Sequence, residues 1–572
     1  MSTKRRGAAL AANAPLPPPN SQEGNTMQEH LWWRDAVIYQ VYVRSFADSD
    51  GDGVGDLNGL RSRLGHIASL GVDGLWLSPC YPSPQRDHGY DIADYTDIEP
   101  AYGTLTDFQA LIAEAHHLGL KVLLDMVANH CSSDHPWFRQ ALDSPAGSPA
   151  RQRFLFRDGA GPDGAQPPND WQSVFGGPAW TRVTDQSGRP GQWYLHLFDT
   201  SQPDFNWQDH EVAEMFDGVL RFWFDLGVDG FRLDVAHGLV KHPELADWPP
   251  KADGTLSYNR NMWNRAGVHE VYRRWRSLAD SYPHRPMLIG EVWVPTAEEL
   301  AEYLRPDELH QVFFFELLGQ PWDATAYQTA ITNGLRSCGP SPTWTMANHD
   351  VPRTVTRLGT TNTAAVDTGA DLLAAVRTRG QVNLEVGDRR ARAALLLLLA
   401  LPGSVYLYQG EELGLPEFLD LPLAFRTDPI SIRSGGKEPG RDGCRIPLPW
   451  DDSSPSFGFS PPGATTPPWL PQPSWSGGYA VSQQAQDPQS FLSLHRDALR
   501  WRRKLWADQT LPFHWMDIGR DDVVAFARGG LVCVTNFGSE PLPVSDAWGS
   551  PLLSSAIDAD DNVTPESTAW FG

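Results

Sequence analysis

Disulfide chemistry is almost closed to this sequence. Its 572 residues hold five cysteines, Cys80, Cys131, Cys338, Cys444 and Cys533. They are odd in number, scattered and nowhere arranged as CxxC, so neither a cystine framework nor a zinc site is indicated. A reducing compartment is the simplest reading. Basic residues are scarce too: 46 Lys plus Arg face 70 Asp plus Glu, a formal charge of −24. Without a Lys/Arg cluster to neutralise phosphates or settle on anionic lipid, nucleic-acid and membrane partners are not expected. No apolar run is long enough for a membrane helix, since ALLLLLALPGSVYLY is broken by Pro402 and Gly403. Lys4, Arg5 and Arg6 precede AALAANAPLPPP, which is too short, too weakly apolar and too rich in proline for a secretory segment. Residues 1 to about 27 therefore read as a disordered tail with Met27 as an alternative start, and the expected location is cytoplasmic.

The sequence is rich in aromatics, with 23 Trp and 15 Tyr. Flat apolar faces suit sugar rings, although aromatics serve more often as core. Length is ample for a large core with attached domains. Short apolar runs recur between Ala36 and Leu413: AVIYQVYVRSF, VDGLWLSP, KVLLDMVANH, VDGFRLDVA, MLIGEVW, QVFFFEL, TWTMANHD and SVYLYQGEEL. Stretches with helical spacing separate them, such as LTDFQALIAEAHHLGL and HEVAEMFDGVLRFWFDLG. Eight strands alternating with helices predict an α/β fold of the (β/α)8 TIM-barrel type. Residues 28–130 and 208–505 form the barrel in this reading. Residues 131–207, rich in Gly, Pro, Trp and Asp, are an inserted domain after the third strand. Residues 451–488 are a proline-rich loop. Period-two alternation in DDVVAFARGGLVCVTNFGSEPLPV predicts a C-terminal antiparallel β domain over 506–572.

Such a barrel carries its chemistry at the C-terminal ends of its strands. Polar residues there are Asp125, Asn129 and His130 on the third strand, Arg232 and Asp234 on the fourth, Glu291 on the fifth, and His349 and Asp350 on the seventh. Cleavage of a glycosidic bond needs one carboxylate to attack or stabilise C1 and one protonated acid to release the leaving oxygen. Asp234 follows Arg232 by two residues, so both share a face of an extended strand, where the guanidinium favours an ionised nucleophile. Glu291 sits between LIG and VW, and an apolar surround favours the protonated state that a general acid needs.

Four motifs, DMVANH (125–130), GFRLDVA (230–236), GEVW (290–293) and NHD (348–350), resemble in order and strand placement those of the α-amylase superfamily of glycoside hydrolases. The resemblance implies that Asp234 is the nucleophile, Glu291 the acid/base, and Asp350 the third acid, on sugar hydroxyls. It also implies that Arg232 orients the nucleophile and that His130 and His349 bond to the sugar in the first subsite. QPDFNW (202–207), DHGYDIADY (87–95) and GRDGCRIPLPW (440–450) resemble segments of the oligo-1,6-glucosidase and α-glucosidase branch. In that branch Asp87 and Arg441 would close the pocket on a terminal glucose, Tyr90 would stack beneath the ring and Phe175 would wall the subsite. Asp48-Ser-Asp-Gly-Asp-Gly-Val-Gly-Asp56 spaces oxygens two apart with Gly53 at the turn, as hard-cation loops do. It is no EF-hand, because the twelfth position is Gly59. It resembles that branch's structural Ca2+ loop, with Asp48, Asp50, Asp52, the Val54 carbonyl and Asp56 as ligands.

The expected activity is that of a retaining exo-acting α-glucosidase. Val235 at the first position after the nucleophile is associated in the branch with α-1,6 linkages. The run Val235-Ala236-His237-Gly238 more resembles an α-1,4-acting subgroup, so maltose and short maltooligosaccharides are the expected substrates. A glucosyltransferase or trehalose synthase-like isomerase on the same site is the alternative, and a non-catalytic sugar-binding relative a remote one. Cys131 reads as a small buried residue, His116-His117 as helix surface rather than a metal site, and the 32–34 WWR run as packing on the barrel's entry. The sequence does not set the oligomeric state.

Overall fold

The computed structural model describes residues 31–184, 188–249, 258–339, 341–360, 381–505 and 511–572. The tail predicted at 1–27 lies outside them. Among the described residues, eleven strands precede the C-terminal domain: β1 Val37–Val41, β2 Gly74–Leu77, β3 Lys121–Val127, β4 Phe156–Arg157, β5 Trp180–Thr184, β6 Pro190–Leu195, β7 Gly230–Asp234, β8 Met287–Gly290, β9 Gln311–Val312, β10 Thr343–Thr345 and β11 Ser404–Tyr408. Eight of them pair in parallel in the order β10-β11-β1-β2-β3-β7-β8-β9. A parallel bridge from Phe313 to Thr343 joins β9 to β10 and closes the barrel. These are the eight strands that the sequence predicts. All are short and largely buried on both faces, which is why several of them read as near-continuous apolar runs.

Helices clothe the outside, and their sequences state why. Thr104 and Asp107 form a reciprocal capping box at the start of Leu105–His117, a device contributing about 1 kcal/mol. Helix His210–Asp225 starts at Asp209, whose side chain accepts from the Glu211 N–H, and buries Phe216, Leu220, Trp223 and Phe224 on one stripe. Helix Leu384–Ala400 is buried along almost its whole length after Ala391. It lies between the barrel and the C-terminal sheet, where Trp570 Nε1 donates to the Leu396 carbonyl at 3.1 Å. That explains a leucine run that no membrane requires. Among the described residues no helix is long and apolar enough to cross a membrane.

The segment between β3 and helix His210–Asp225 folds around an antiparallel sheet of its own, in the order β4-β6-β5. Bridges from His130 to Asp204 and from Phe154 to Phe205 fasten its base to the barrel mouth. The proline-rich stretch 451–488 is ordered and packed, with Phe459 and Leu470 buried. At the C-terminus, β12 Phe513–Trp515, β13 Val523–Arg528, β14 Leu531–Asn536, β15 Leu542–Pro543, β16 Pro551–Ser554, β17 Asn562–Val563 and β18 Ser567–Phe571 follow. Five of these make an antiparallel sheet, β12-β13-β14-β18-β16. Cys131 is buried and its thiol pushed well up by that burial. His116 pairs with Asp229 at 2.6 Å, and Trp33 packs edge-on against His310 at the barrel entry.

Candidate active site

The C-terminal ends of β3, β7, β8 and β10 bring their polar residues to one place. Arg232, buried on β7, is the hub. Its guanidinium reaches Asp234 at 2.6 Å, Glu291 at 2.7 Å and Asp125 at 3.0 Å. The two-residue spacing on β7 accounts for the first contact; the other two cross to neighbouring strands. Glu291 Oε2 also accepts from the Val235 N–H at 3.2 Å, and Oε1 from Trp293 Nε1 at 3.1 Å. Val235 holds φ +45°, a backbone region costly to a β-branched residue. The strain falls at the turn that directs this N–H from the end of β7 to Glu291.

Asp350 sits across the mouth, with Arg441 at 2.9 Å, Arg445 at 3.0 Å and His349 Nε2 at 3.2 Å. Arg441 also reaches Asp87 at 2.8 Å, so the loops after β2 and β11 meet on the third acid and make a floor. Gln202 from the insertion donates to Asp87 at 2.9 Å and lies 3.1 Å from His130. Phe175, from the same insertion, lies under the Arg441 guanidinium with 5.1 Å from ring centre to charge. Tyr90 stacks on His349, nearly parallel at 5.2 Å, and its hydroxyl donates to Asp125 at 3.0 Å. All ten predicted catalytic and subsite residues thus form one continuous network. The His130 and His349 nitrogens have protein partners: Asn129 and Tyr90 for His130, Gln40 and Asp350 for His349.

Electrostatics differ in two respects from the sequence reading. Burial is the largest influence on Asp234 and pushes its carboxyl well up; Arg232 opposes this, while Glu291 and Asp125 reinforce it. Arg232 does not serve Asp234 alone, because it is shared among three acids. Nor is the immediate surround of Glu291 apolar, since three N–H donors address its oxygens. Burial pushes the Asp125 carboxyl up as well, to about 6, against the pull of Arg232. Burial would also raise Asp350, but the Arg441 and Arg445 guanidiniums outweigh it and hold that carboxyl far below its usual range. Burial keeps the imidazoles neutral, pushed down to about 4 in His130 and about 3 in His349.

Asp87 is raised by burial to about 7, against the pull of Arg441. A folded value above the unfolded one, near 4, means stability present below about pH 4 and lost as pH rises through about 7. Asp87→Asn escapes that loss. Its melting temperature is therefore expected to gain on the parent's between pH 5 and pH 8, as thermal unfolding at the two pH values checks; a variant-minus-parent difference that stays level or falls contradicts the assignment.

The Asp48–Asp56 loop follows β1. Carboxylate oxygens of Asp48, Asp50 and Asp56 lie within 4.8 Å of one another, a separation that one cation with bonds of about 2.3 to 2.6 Å spans. Asp52 stands outside that trio, its Oδ1 accepting from the Val54 N–H at 2.7 Å. Gly53 has φ +89°, and a side chain there would meet the Pro467 carbonyl at 2.3 Å, so only glycine fits.

Sequence reasoning missed several participants. Arg445 stood inside the quoted GRDGCRIPLPW segment and could have been found there. Gln202 stood inside QPDFNW. Asp428, fully buried against Arg441 at 2.5 Å, caps the short helix Pro429–Arg433, and its Asp-Pro pair marks a helix start without marking the arginine partner.

Carboxylates from separate strands gathered on one buried arginine are an arrangement for breaking glycosidic bonds, and the class is that of the glycoside hydrolases. The α-amylase catalytic-domain family matches residues 40–508, and the chain belongs to it, in the branch of oligo-1,6-glucosidases and α-glucosidases. A probable α-glucosidase of Rhizobium meliloti (strain 1021) is 39% identical over 497 residues, covering 82% of each chain. The oligo-1,6-glucosidase of Parageobacillus thermoglucosidasius is 33% identical over 561 residues, covering 90% of this chain and 92% of the relative. Among solved structures, the α-glucosyl transfer enzyme XgtA is 35% identical with a TM-score of 0.79, covering 94% of this chain and 99% of its own. The trehalulose synthase MutB of Pseudomonas mesoacidophila MX-45 is 28% identical with a TM-score of 0.79 and the same coverage.

Proposed function

We propose that the chain is a retaining, exo-acting α-glucosidase that removes terminal glucose from maltose and short α-glucosides. The observation that carries this reading is the floor made by Asp87, Arg441 and Asp350. A cleft closed at one end admits a chain terminus and no chain interior. Tyr90, His130, Phe175 and His349 line the same subsite in this reading, and Asp350 and Asp87 with Arg441 hold the terminal hydroxyls. Asp234 attacks the anomeric carbon; the C1–O bond to the leaving sugar breaks, and that oxygen takes the Glu291 proton. Water then gives a proton to Glu291 and its oxygen to C1, which releases Asp234. Two inversions leave the product with the α configuration of the substrate. End-labelled maltoheptaose is the test: successive loss of single glucose units is expected, and an early ladder of mid-length fragments overturns the exo assignment. Arg441→Ala should raise KM for maltose at least tenfold, by removing a charged partner of both Asp87 and Asp350.

A second reading is transfer of the glucosyl group to a sugar or alcohol, supported by the likeness to XgtA and MutB. It uses the same first step, with an acceptor hydroxyl in place of water. Ca2+ is assigned to Asp48, Asp50 and Asp56, with the Val54 carbonyl and Asp52 as the remaining protein ligands. The ion's role is structural: it offsets the mutual repulsion of carboxylates that the fold crowds together. Chelation should lower the melting temperature, with Ca2+ restoring it; an unchanged melting curve removes the ion from the account. Five free thiols, four of them buried, support a reducing, cytoplasmic setting.

A further inference from the structure

Arg441 meets three carboxylates, and only two of them belong to the pocket. Its Nη2 reaches Asp87 at 2.8 Å and its Nη1 reaches Asp350 at 2.9 Å, while Nε points the other way, to Asp428 at 2.5 Å. Asp428 has no exposed surface. Its Oδ2 also accepts from the Arg441 backbone N–H at 3.0 Å, and its Oδ1 caps helix Pro429–Arg433 through the Ile430 N–H at 2.7 Å. Asp442 fixes it from behind, accepting from the Thr427 and Asp428 N–H groups at 2.7 and 3.0 Å. Arg445 adds a second cation at 3.8 Å. The carboxylate is thus held at both oxygens and tied to the backbone and the side chain of the arginine it faces.

We propose that Asp428 is a positioning residue that aims the Arg441 guanidinium into the pocket and thereby sets affinity for the terminal sugar without touching it. A guanidinium is planar, and its N–H groups fork at fixed angles. Pinning Nε therefore fixes where Nη1 and Nη2 point. With the pin neutralised, only Asp350 and Asp87 attract the charge, and Arg441 settles onto them. Sugar hydroxyls must then displace a stronger contact before they bind. The loss falls on ground-state binding, because the atoms that break and form bonds are at Asp234 and Glu291. The helix cap gives Asp428 a structural duty as well, and the experiment must separate the two.

This inference rests on the α-glucosidase reading. Asp428→Asn and Asp428→Ser are made in the full chain and in an Arg441→Met background, and turnover of p-nitrophenyl α-glucoside is measured beside melting temperature. Asn and Ser both keep a cap acceptor, so at least one folded variant is expected. In the parent, KM should rise at least tenfold with kcat within about threefold. In the Arg441→Met background the same substitution should change kcat/KM less than twofold, because its target is gone. An equal loss in both backgrounds, a fall in kcat at constant KM, or failure of both variants to fold overturns the positioning role. An inactive parent would instead sink the glucosidase reading, whereas an active parent indifferent to Asp428→Asn sinks only this inference.

Discussion

Glu291→Gln is expected to lower kcat/KM for maltose by about 10²- to 10⁴-fold, the range contributed by a positioned proton donor. The leaving sugar is a poor leaving group and needs that proton. An aryl glucoside with an acidic phenol does not, so its first step should survive, giving a burst of phenol followed by slow turnover while glucosyl-enzyme accumulates. Azide, which needs no general base, should restore turnover and yield α-glucosyl azide. Geometry sharpens the expectation. Glu291 receives N–H donors at both oxygens, Arg232 and the Val235 backbone at one and Trp293 at the other. An amide can offer an acceptor to only one side and turns its own N–H groups towards a donor on the other. Retention of full maltose turnover by Glu291→Gln would remove Glu291 from the proton-donor role.

Asp234→Ala is expected to be more severe, on the order of 10⁴- to 10⁶-fold in kcat, as for loss of other covalent nucleophiles. An alanine methyl cannot form the ester at C1, so no glucosyl-enzyme builds up with any leaving group. Azide rescue here should give the opposite stereochemistry: the anion occupies the vacated space and attacks once, producing β-glucosyl azide. The contrast between the two azide products separates nucleophile from acid/base without reference to rate. Stability should not fall in parallel. Burial already disfavours the charged form of Asp234, and Glu291 and Asp125 add to that. Removing a charge from such a setting relieves strain that catalysis imposes, so the variant should be inactive while folded.

The eight strands were legible because a parallel strand covered on both faces is apolar throughout, and strands of four to seven residues such as Gly74–Leu77 and Lys121–Val127 stand out from amphipathic helices. The strand-end acids were legible because barrel geometry sends them to one mouth. Contacts between loops were not. Gln202 with Asp87, and Arg445 with Asp350, join chain segments 115 and 95 residues apart, and no local period records that. Spacing on β7 announced the Arg232–Asp234 pair yet could not announce that Glu291 and Asp125 share the same guanidinium. The proline-rich 451–488 stretch shows why irregular sequence need not mean loose structure. Trp469 is held by the Gly53 carbonyl and by Ser45 and faces the Arg44 guanidinium at 4.1 Å, contacts made one residue at a time rather than on a repeating face.

In the proposed mechanism a carboxylate of this chain forms a covalent bond to glucose, and water breaks it with overall retention. Proton NMR of maltose hydrolysis, read in the first minutes before mutarotation, tests it most directly. From the non-reducing unit, α-glucose should appear first, with later α-linked oligosaccharides marking transfer. Early β-glucose would contradict the two-step mechanism, and trehalose formed without net glucose would show that the bond is rearranged rather than hydrolysed.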